Sequence, residues 1–227
     1  MNHILPQSVI SSIQQSYLHG VTAAEKGYRY AQEDEDVVTG ALGQALLSED
    51  QSVVVDNTVY VWRTTYQKFR GRGKNAAEKL LGADGIIQIE VRDGQQQVVV
   101  ARKGLLFQAK NNWQGRDLKL KSQSGLLSFP YKIPVGIVIN YSPRGYYAVP
   151  AETVYDADGD RGKIGDELFR PLSIALAEDF LYCRLGIEDV YYDPASKTLF
   201  LPKWLMPKKN MSYRHVITTT VVRVILK

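Results

Sequence analysis

The sequence of 227 residues contains very little cysteine and histidine. Its single cysteine, Cys183, excludes a disulfide within the chain and a cysteine-based zinc site, so we expect a protein of the reducing cytoplasm. The three histidines show no metal-ligand spacing. No apolar run is long enough to cross a membrane, and the N-terminus lacks the pattern of a signal peptide. We therefore expect a cytoplasmic protein that has no membrane partner.

The sequence also lacks the short motifs of two large enzyme classes. It contains neither Gly-x-Ser-x-Gly nor a Ser-His-Asp arrangement, which argues against a serine hydrolase. The Walker spacing of glycines and lysine is absent as well. Nucleotide hydrolysis by a P-loop therefore gains no support.

The residues that are present can form a sizeable core. A hydrophobic content of 44%, with 14 Tyr and 6 Phe, argues against disorder. The length fits one large domain, or a core with a small appendage. The net charge of +4 and the pI of about 9.0 mildly favour an anionic partner such as nucleic acid.

The stretch from Gly82 to Asn111 carries the most informative pattern. Asp84 stands at the start of an alternating apolar segment, and Gln108 and Lys110 close the next β-rich segment. Residues two apart on a strand point to the same face, so the side chains of Gln108 and Lys110 should project together. A carboxylate holds a hard cation, the cation lowers the pKa of its water, and a lysine can stabilise the developing negative charge. The pattern therefore indicates metal-assisted hydrolysis of a phosphodiester.

The motifs Gly82-Ala83-Asp84-Gly85 and Phe107-Gln108-Ala109-Lys110-Asn111 resemble those of the PD-(D/E)xK nuclease superfamily. They are most similar to its Mrr-type branch, in which the third motif reads Q-x-K. The resemblance implies an α/β (α+β) fold with a restriction-endonuclease-like αβββαβ core, in which helices flank a mixed sheet. It also implies a nuclease with Mg²⁺ or Mn²⁺ as cofactor. Asp84 and the Ala109 carbonyl would be metal ligands. Gln108 would replace the usual acid, and Lys110 would position the attacking water or stabilise charge.

In the resembled family, an N-terminal helix supplies a glutamate to the metal site. The sequence predicts a helix from about Glu33 to Leu47 that begins with four acids, Glu33 to Asp36. Acids in a first turn also complement the helix dipole, so a solvated face is the alternative. Glu35 shares the apolar face with Val38, Thr39, Leu42 and Leu46, which should meet the sheet. Glu35 is the best match, followed by Asp36 and then Glu33, because helix register read from sequence is uncertain by a residue or more.

The spacing of the two motifs does not fit a simple hairpin. A regular turn at Asp93-Gly94 would place Asp84 opposite Lys103, about five residues short of Gln108. A bulge or kink near Gly104 would absorb the offset, since glycine within a strand often marks one. The alternative is a third short strand, which would separate the acid from the lysine.

A basic loop precedes the first motif. The segment Lys68 to Asn75 contains four cations and two glycines. Such a loop is either solvated or contacts phosphates, and we favour the second interpretation because it lies close to Asp84 in the sequence. Arg70, Arg72 and Lys74 are therefore candidate DNA-binding residues.

The remaining segments predict the order of the elements. A helix from Pro6 to His19 should be ended by Gly20, and residues 86–91, 105–110 and 135–141 should form neighbouring strands. We expect a nuclease core over residues 1–150 and, over residues 151–227, a helix and a β-rich extension packed on that core. The apolar segment from Val216 to Leu226 must be paired within the domain or covered by a second subunit.

The sequence thus predicts a metal-dependent endonuclease, with double-stranded DNA as the favoured substrate. The resemblance implies a setting in bacterial restriction or antiphage defence. A free-standing nuclease needs restraint, so a regulatory protein partner or a homo-oligomer is expected. The rival hypothesis is a catalytically inactive nucleic-acid-binding or assembly module of the same fold, which the glutamine of the third motif keeps open.

Overall fold

The computed structural model describes residues 1, 3–71, 73–96, 98–128, 136–202 and 207–226. The helices are α1 (Gln7–Gly27), α2 (Glu35–Ala45), α3 (Ala77–Leu81), α4 (Leu118–Ser128), α5 (Ala151–Asp156) and α6 (Leu172–Ile174), which continues as a π-helical turn over Ala175–Phe180. The strands are β1 (Gln51–Val55), β2 (Thr58–Lys68), β3 (Gly85–Asp93), β4 (Val98–Asn111), β5 (Gly136–Ser142), β6 (Gly145–Pro150), β7 (Arg170–Pro171), β8 (Ile187–Glu188), β9 (Tyr191–Asp193), β10 (Thr198–Phe200) and β11 (His215–Ile225). Within these residues, no helix is both long and apolar enough to cross a membrane.

A mixed nine-stranded sheet forms the centre of the molecule. Its strand order is β1-β2-β11-β3-β4-β5-β6-β7, and β8 pairs with β4. The prediction of a mixed α/β fold is confirmed, as is the placement of β3, β4 and β5 as neighbours. Val135, where the sequence started the third of these strands, lies outside the described residues.

Helices cover both faces of the sheet, because successive strand residues bury their side chains on opposite sides. Leu105, Phe107 and Ala109 of β4 join the apolar core formed with α1, α2 and α6. Leu106 of the same strand packs on the other face with α3 and α4. The Glu35 helix, α2, therefore packs beside the sheet as predicted.

The register of β3 and β4 corrects the hairpin expected from the sequence. Gly85 pairs with Phe107, so Asp84 lies beside Gln108 without a bulge at Gly104 or a third strand. The offset between the expected and observed pairing arises mainly in the turn. Asp93 pairs with Val98, so the turn is longer than the two-residue turn expected at Asp93-Gly94. A register shift after Val91 accounts for one further residue. The two motifs are thus brought side by side by a longer turn.

The C-terminal strand lies inside the sheet. β11 pairs antiparallel with β2 and parallel with β3, so both of its edges are satisfied within the chain. The β-rich segment that we expected to pack on the core as an extension therefore supplies a central strand. His215, the first residue of β11, pairs with Gly85, so this strand begins directly beside Asp84.

The first helix is longer than the sequence predicted. α1 continues past Gly20 to Gly27. Gly20 does not end the helix but allows close packing. A Cβ atom at this position would lie 2.7 Å from the main-chain oxygen of Ala45, at the end of α2. The glycine thus lets α1 and α2 approach closely.

Gly82 fixes the approach of the chain to the first motif, and its replacement tests this role. It ends α3 in the left-handed conformation, at φ 69°, and an added Cβ would collide with the main-chain carbonyl of Gln123. We expect Gly82→Ala to lower the free energy of unfolding by about 2 kcal/mol or more, from backbone strain and the collision together. Urea unfolding measures the change.

Gly27→Ala is the matched control for this prediction. Gly27 has φ −82°, and no described residue lies within 4 Å of the added Cβ, so the variant should be as stable as the wild type or slightly more so. Equal stability of the two alanine variants would contradict the role assigned to Gly82.

Candidate active site

Asp84 lies almost completely buried at the point where the two motifs meet. Its main-chain N–H donates to the Phe107 oxygen over 2.8 Å, which continues the pairing of β3 with β4. Its Oδ2 accepts hydrogen bonds from Gln108 Nε2 at 2.5 Å and from the Ala109 N–H at 3.0 Å. These bonds fix the carboxylate, and its other oxygen, Oδ1, lies 3.9 Å from Arg214 Nη1.

Gln108 and Lys110 lie on the same face of β4, as their spacing predicts. They pair with Val138 and Asn140 of the parallel strand β5. Because the Nε2 of Gln108 donates to Asp84, its Oε1 is the free end of the amide, and this oxygen is buried with no hydrogen-bond partner among the described residues. An orphaned buried acceptor costs free energy unless a donor or a cation meets it.

Lys110 is held beside the acids by a further carboxylate. Its Nζ lies 2.8 Å from Asp117 Oδ2, just before α4 begins. The charge of Lys110 also lowers the pKa of Glu35 and of Asp84, although burial, the larger effect, raises both. The ammonium group therefore acts on both acids of the site.

The structure distinguishes between the acids at the start of α2. Asp34 is the N-cap and accepts from the Asp36 N–H at 2.8 Å, so Glu35 is the first helical residue. Glu35 Oε2 accepts from the Asn111 N–H at 3.1 Å, at the end of the third motif. Asp36 instead contacts Lys68 and His215, at 2.6 and 2.8 Å. Glu33 is exposed. Glu35 is thus the acid of this turn that joins the motifs.

Both acids of the site hold their protons more tightly than ordinary carboxyl groups. Burial, followed by the negative charge of Asp84, raises the pKa of Glu35 from 4.5 to about 7. Burial also raises the pKa of Asp84 from 3.8 to about 6. The surroundings therefore disfavour the ionised form of both carboxyl groups, and a bound cation would favour that form.

The oxygen atoms gathered here suit a hard divalent cation. They are the carboxylates of Glu35 and Asp84, the orphaned Oε1 of Gln108 and the carbonyl of Ala109, which also accepts from Gln108 Nε2 at 3.2 Å. Mg²⁺ and Mn²⁺ prefer such oxygen ligands. In the part of the chain that the structure describes, no three His, Cys, Asp or Glu side chains form a metal cluster, so the set depends on amide and peptide oxygens as well.

The site includes two residues that the sequence did not single out. Glu78 of α3 accepts from Lys119 and Gln123, at 2.9 and 3.0 Å. Arg214, just before β11, lies 3.2 Å from Glu78 and 3.9 Å from Asp84 Oδ1. Glu78 stands in the helix that leads into the first motif, which was an available signal. Arg214 had none, because only the central position of β11 brings it here.

The basic loop lies next to Arg214. The Phe69 N–H donates to the Arg214 oxygen over 2.9 Å, and Gly71 packs against the Arg214 backbone. Arg70 and Lys74 are exposed. Arg72, the third cation assigned to DNA binding, lies outside the described residues. The described residues of the loop therefore lie close to Arg214 and Asp84, and their contact with DNA stays a prediction.

The raised pKa of Glu35 predicts an unusual dependence of stability on pH. Between about pH 4.5 and 7 the unfolded chain loses the Glu35 proton before the folded protein does. Deprotonation therefore favours unfolding, and without metal the contribution of Glu35 to the free energy of unfolding falls as the pH rises through this range. We expect Glu35→Gln to remove that contribution. In EDTA, the melting temperature of the variant should therefore rise relative to that of the wild type as the pH increases.

Glu33→Gln is the control for the pH experiment. Glu33 is exposed and lies just before the N-cap of α2, so the melting temperature of this variant should change with pH in parallel with that of the wild type. A difference between Glu35→Gln and wild type that does not vary between pH 4.5 and 7 would contradict the proton linkage.

The comparisons with known proteins identify no family for this chain. Comparisons with protein-family models, with curated proteins and with solved structures gave no match for this chain. The nuclease hypothesis therefore depends on the motifs and on the arrangement of their side chains.

Proposed function

We propose that this chain is a nuclease that hydrolyses phosphodiester bonds, with double-stranded DNA as substrate and Mg²⁺ or Mn²⁺ as cofactor. The observation that carries the proposal is that both acids are bound to the same end of β4. Asp84 accepts from Gln108 and Ala109, and Glu35 accepts from Asn111. The charge of Lys110 acts on both acids. A bound divalent cation would supply an activated water and neutralise charge on the phosphate.

The residues of the site would have two roles, which are to hold the cation and to position the reacting groups. Asp84 and Glu35 would hold the cation, and Gln108 fixes the Asp84 carboxylate through its amide donor. Lys110 can leave Asp117 to hold the attacking water, or to stabilise the negative charge that develops on the phosphate. Glu78 and Lys119 form an ion pair beside them.

One observation favours a second candidate function. The Lys110–Asp117 ion pair is also what a purely structural lysine would form. The chain would then be a catalytically inactive nucleic-acid-binding or assembly module that keeps the fold. A defence setting and a regulatory partner or oligomerisation switch, both expected from the sequence, stay predictions.

Incubation with plasmid DNA distinguishes the two candidates. The nuclease proposal expects supercoiled plasmid to be nicked or linearised in Mg²⁺ or Mn²⁺ and to stay intact in EDTA. DNA that is bound but uncut under every metal condition supports the inactive module. Cleavage that continues in EDTA would contradict the metal-dependent site.

The basic loop should contribute to DNA affinity through phosphate contacts. Replacing Arg70 and Lys74 together with Ala should weaken binding and reduce the slope of log affinity against log salt by about 0.9 for each lost phosphate contact. Adding Arg72→Ala tests the third cation. Fluorescence anisotropy with a labelled duplex, at several salt concentrations and without divalent metal, measures the slope.

Arg63→Ala controls for the loss of positive charge alone. Arg63 is an exposed cation on β2, five residues and about 17 Å along the strand from the end nearest the loop. Its replacement should leave the slope unchanged. Equal slopes for the control and the loop variants would make the loop a solvated surface feature.

A further inference from the structure

A cavity opens directly beyond the third motif. It has a volume of about 620 Å³, within the range of about 300–1,000 Å³ typical of small-ligand sites. Asn140, part of its lining, is the register partner of Lys110, and neighbouring strands lie about 4.8 Å apart. The cavity therefore adjoins the proposed catalytic site on the same face of the sheet.

Aromatic side chains form one part of the cavity wall. Trp113, Tyr147 and Phe169 all line it, and the rings of Trp113 and Phe169 lie 6.2 Å apart at a tilted angle. The Trp113 indole N–H donates to the Gly115 oxygen over 2.7 Å, so this ring is fixed. Tyr147 is half-buried. Trp113 and Phe169 are only 6% and 8% exposed, so Tyr147 offers most of the aromatic surface on which an unstacked base could stack.

Two arginines form another part of the wall. The Arg161 guanidinium lies 3.9 Å from the centre of the Phe169 ring and pairs with the exposed carboxylate of Asp166. Arg144 is exposed in the turn before β6. Its charge helps to lower the pKa of Asp166, after the larger effect of Arg161, and all three side chains line the cavity. A phosphate group could take the place of Asp166 there.

Carboxamides complete the cavity. Asn140 Oδ1 accepts from the Trp113 N–H at 3.0 Å, which leaves its Nδ2 as the donor it can offer to a ligand. Asn112 and Gln114 line the same cavity and are joined by a 3.0 Å hydrogen bond. Asn and Gln side chains can pair with the edges of bases.

We propose that this cavity binds one nucleotide, with the base against Trp113 and Tyr147 and the phosphate at Arg144 and Arg161. The proposal rests on the nuclease function. With cleavage beside Lys110, the bound nucleotide is one that leaves the base stack next to the reacting phosphate. The same chemistry is offered by a nucleotide within a DNA strand and by a free nucleotide, and the test separates these two sources.

The first arm of the test measures binding of a labelled duplex to the wild-type chain in EDTA. A base in a mismatched pair leaves the stack more easily than a paired one. The wild type should therefore bind a duplex with one central mismatch more tightly than the perfect duplex. Tyr147→Ala should lose this preference, and Arg144→Gln, at an exposed position, should reduce it. Tyr30→Ala, which removes an exposed tyrosine outside the cavity, should keep it.

The second arm measures binding of the four deoxynucleoside 5′-monophosphates by calorimetry. If the cavity takes a free nucleotide, at least one should bind saturably, and Tyr147→Ala should weaken it by about 5- to 150-fold, the range of a lost base–aromatic stack. A mismatch preference assigns the ligand to the DNA strand. Mononucleotide binding without that preference assigns it to a free nucleotide.

The two arms also separate this proposal from the nuclease proposal. If the wild type neither binds nor cleaves DNA, the nuclease function fails, and the mononucleotide arm alone decides about the cavity. If the wild type cleaves DNA but shows neither mismatch preference nor mononucleotide binding, the nucleotide site is overturned and the nuclease function stands. The nucleotide site would also be overturned if Tyr30→Ala lost the mismatch preference or mononucleotide binding to the same degree as Tyr147→Ala.

Discussion

Lys110→Ala is expected to slow phosphodiester cleavage by about 10²–10³, the usual cost of removing one oriented group that faces a transition state. The metal ligands stay in place, so Mn²⁺ should still bind. The variant should also stay folded, because Lys110 is ion-paired with Asp117 at the rim of the site and does not belong to the apolar core. Cleavage rate, calorimetry with Mn²⁺ and thermal melting measure the three properties.

Two controls separate catalysis by Lys110 from a structural ion pair. Lys121→Ala removes a lysine that pairs with Asp158 at 2.7 Å, a contact much like that of Lys110 with Asp117, and it should leave the rate unchanged. Asp117→Asn breaks the Lys110 pair but keeps the ammonium group, so most activity should remain. Near-wild-type cleavage by folded Lys110→Ala would contradict the assignment. Unfolding of both Lys110→Ala and Asp117→Asn would indicate the structural role.

Asp84→Asn should abolish cleavage by a different route, through the loss of metal. The amide oxygen can still accept from Gln108 and Ala109, so the shape of the site is kept. The negative charge is lost, and Mn²⁺ affinity should fall by at least about 100-fold, since even partners behind the ligands are worth about 10–100-fold. Calorimetry measures this loss, and it should parallel the loss of cleavage.

The same substitution should stabilise the protein when no metal is present. The pKa of Asp84 is raised to about 6 by burial, so at pH 8 the folded protein holds an ionised carboxylate in an unfavourable environment. The neutral amide relieves this, and the melting temperature of Asp84→Asn in EDTA should exceed that of the wild type.

Asp93→Asn is the matched control. Asp93 lies at the other end of β3, and its pKa is lowered, whereas that of Asp84 is raised. It accepts from the main-chain N–H groups of Gln95 and Gln96, which together with Arg223 lower its pKa. Its replacement should therefore lower the melting temperature and leave metal binding and cleavage unchanged. An Asp84→Asn protein that binds Mn²⁺ as the wild type does would contradict the site.

The sequence predicted the strands that carry the motifs but not how they align. Alternation of apolar residues identifies β3 and β4, and the two-residue period places Gln108 and Lys110 on one face. The alignment depends on turn length, and the Asp93-Gly94 pair suggested a tighter turn than the one that forms. The same local signal was compatible with either register.

The acids of α2 show where sequence reasoning reached its limit. The apolar stripe favoured Glu35, but the choice depended on where the helix begins. Asp34 acts as the N-cap and sets that start, while Asp36 is occupied by Lys68 and by His215, which lies 179 residues away. A partner so distant in the chain leaves no periodic signal.

The central position of β11 was the main feature that the sequence concealed. A strongly apolar segment near the C-terminus predicts a covered strand, but not its neighbours. Because β11 pairs with β3 beside Asp84, it carries Arg214 into the site. The positions of long-range strands follow from the whole sheet, so local patterns could not have named this residue.

Anomalous scattering from a crystal soaked in Mn²⁺ tests the central claim most directly. A peak should lie between the carboxylates of Asp84 and Glu35, within coordination reach of Gln108 Oε1 or the Ala109 carbonyl. It should be absent from crystals of Asp84→Asn. An ordered peak elsewhere, or no peak at a Mn²⁺ concentration that supports cleavage, would contradict the proposed metal site.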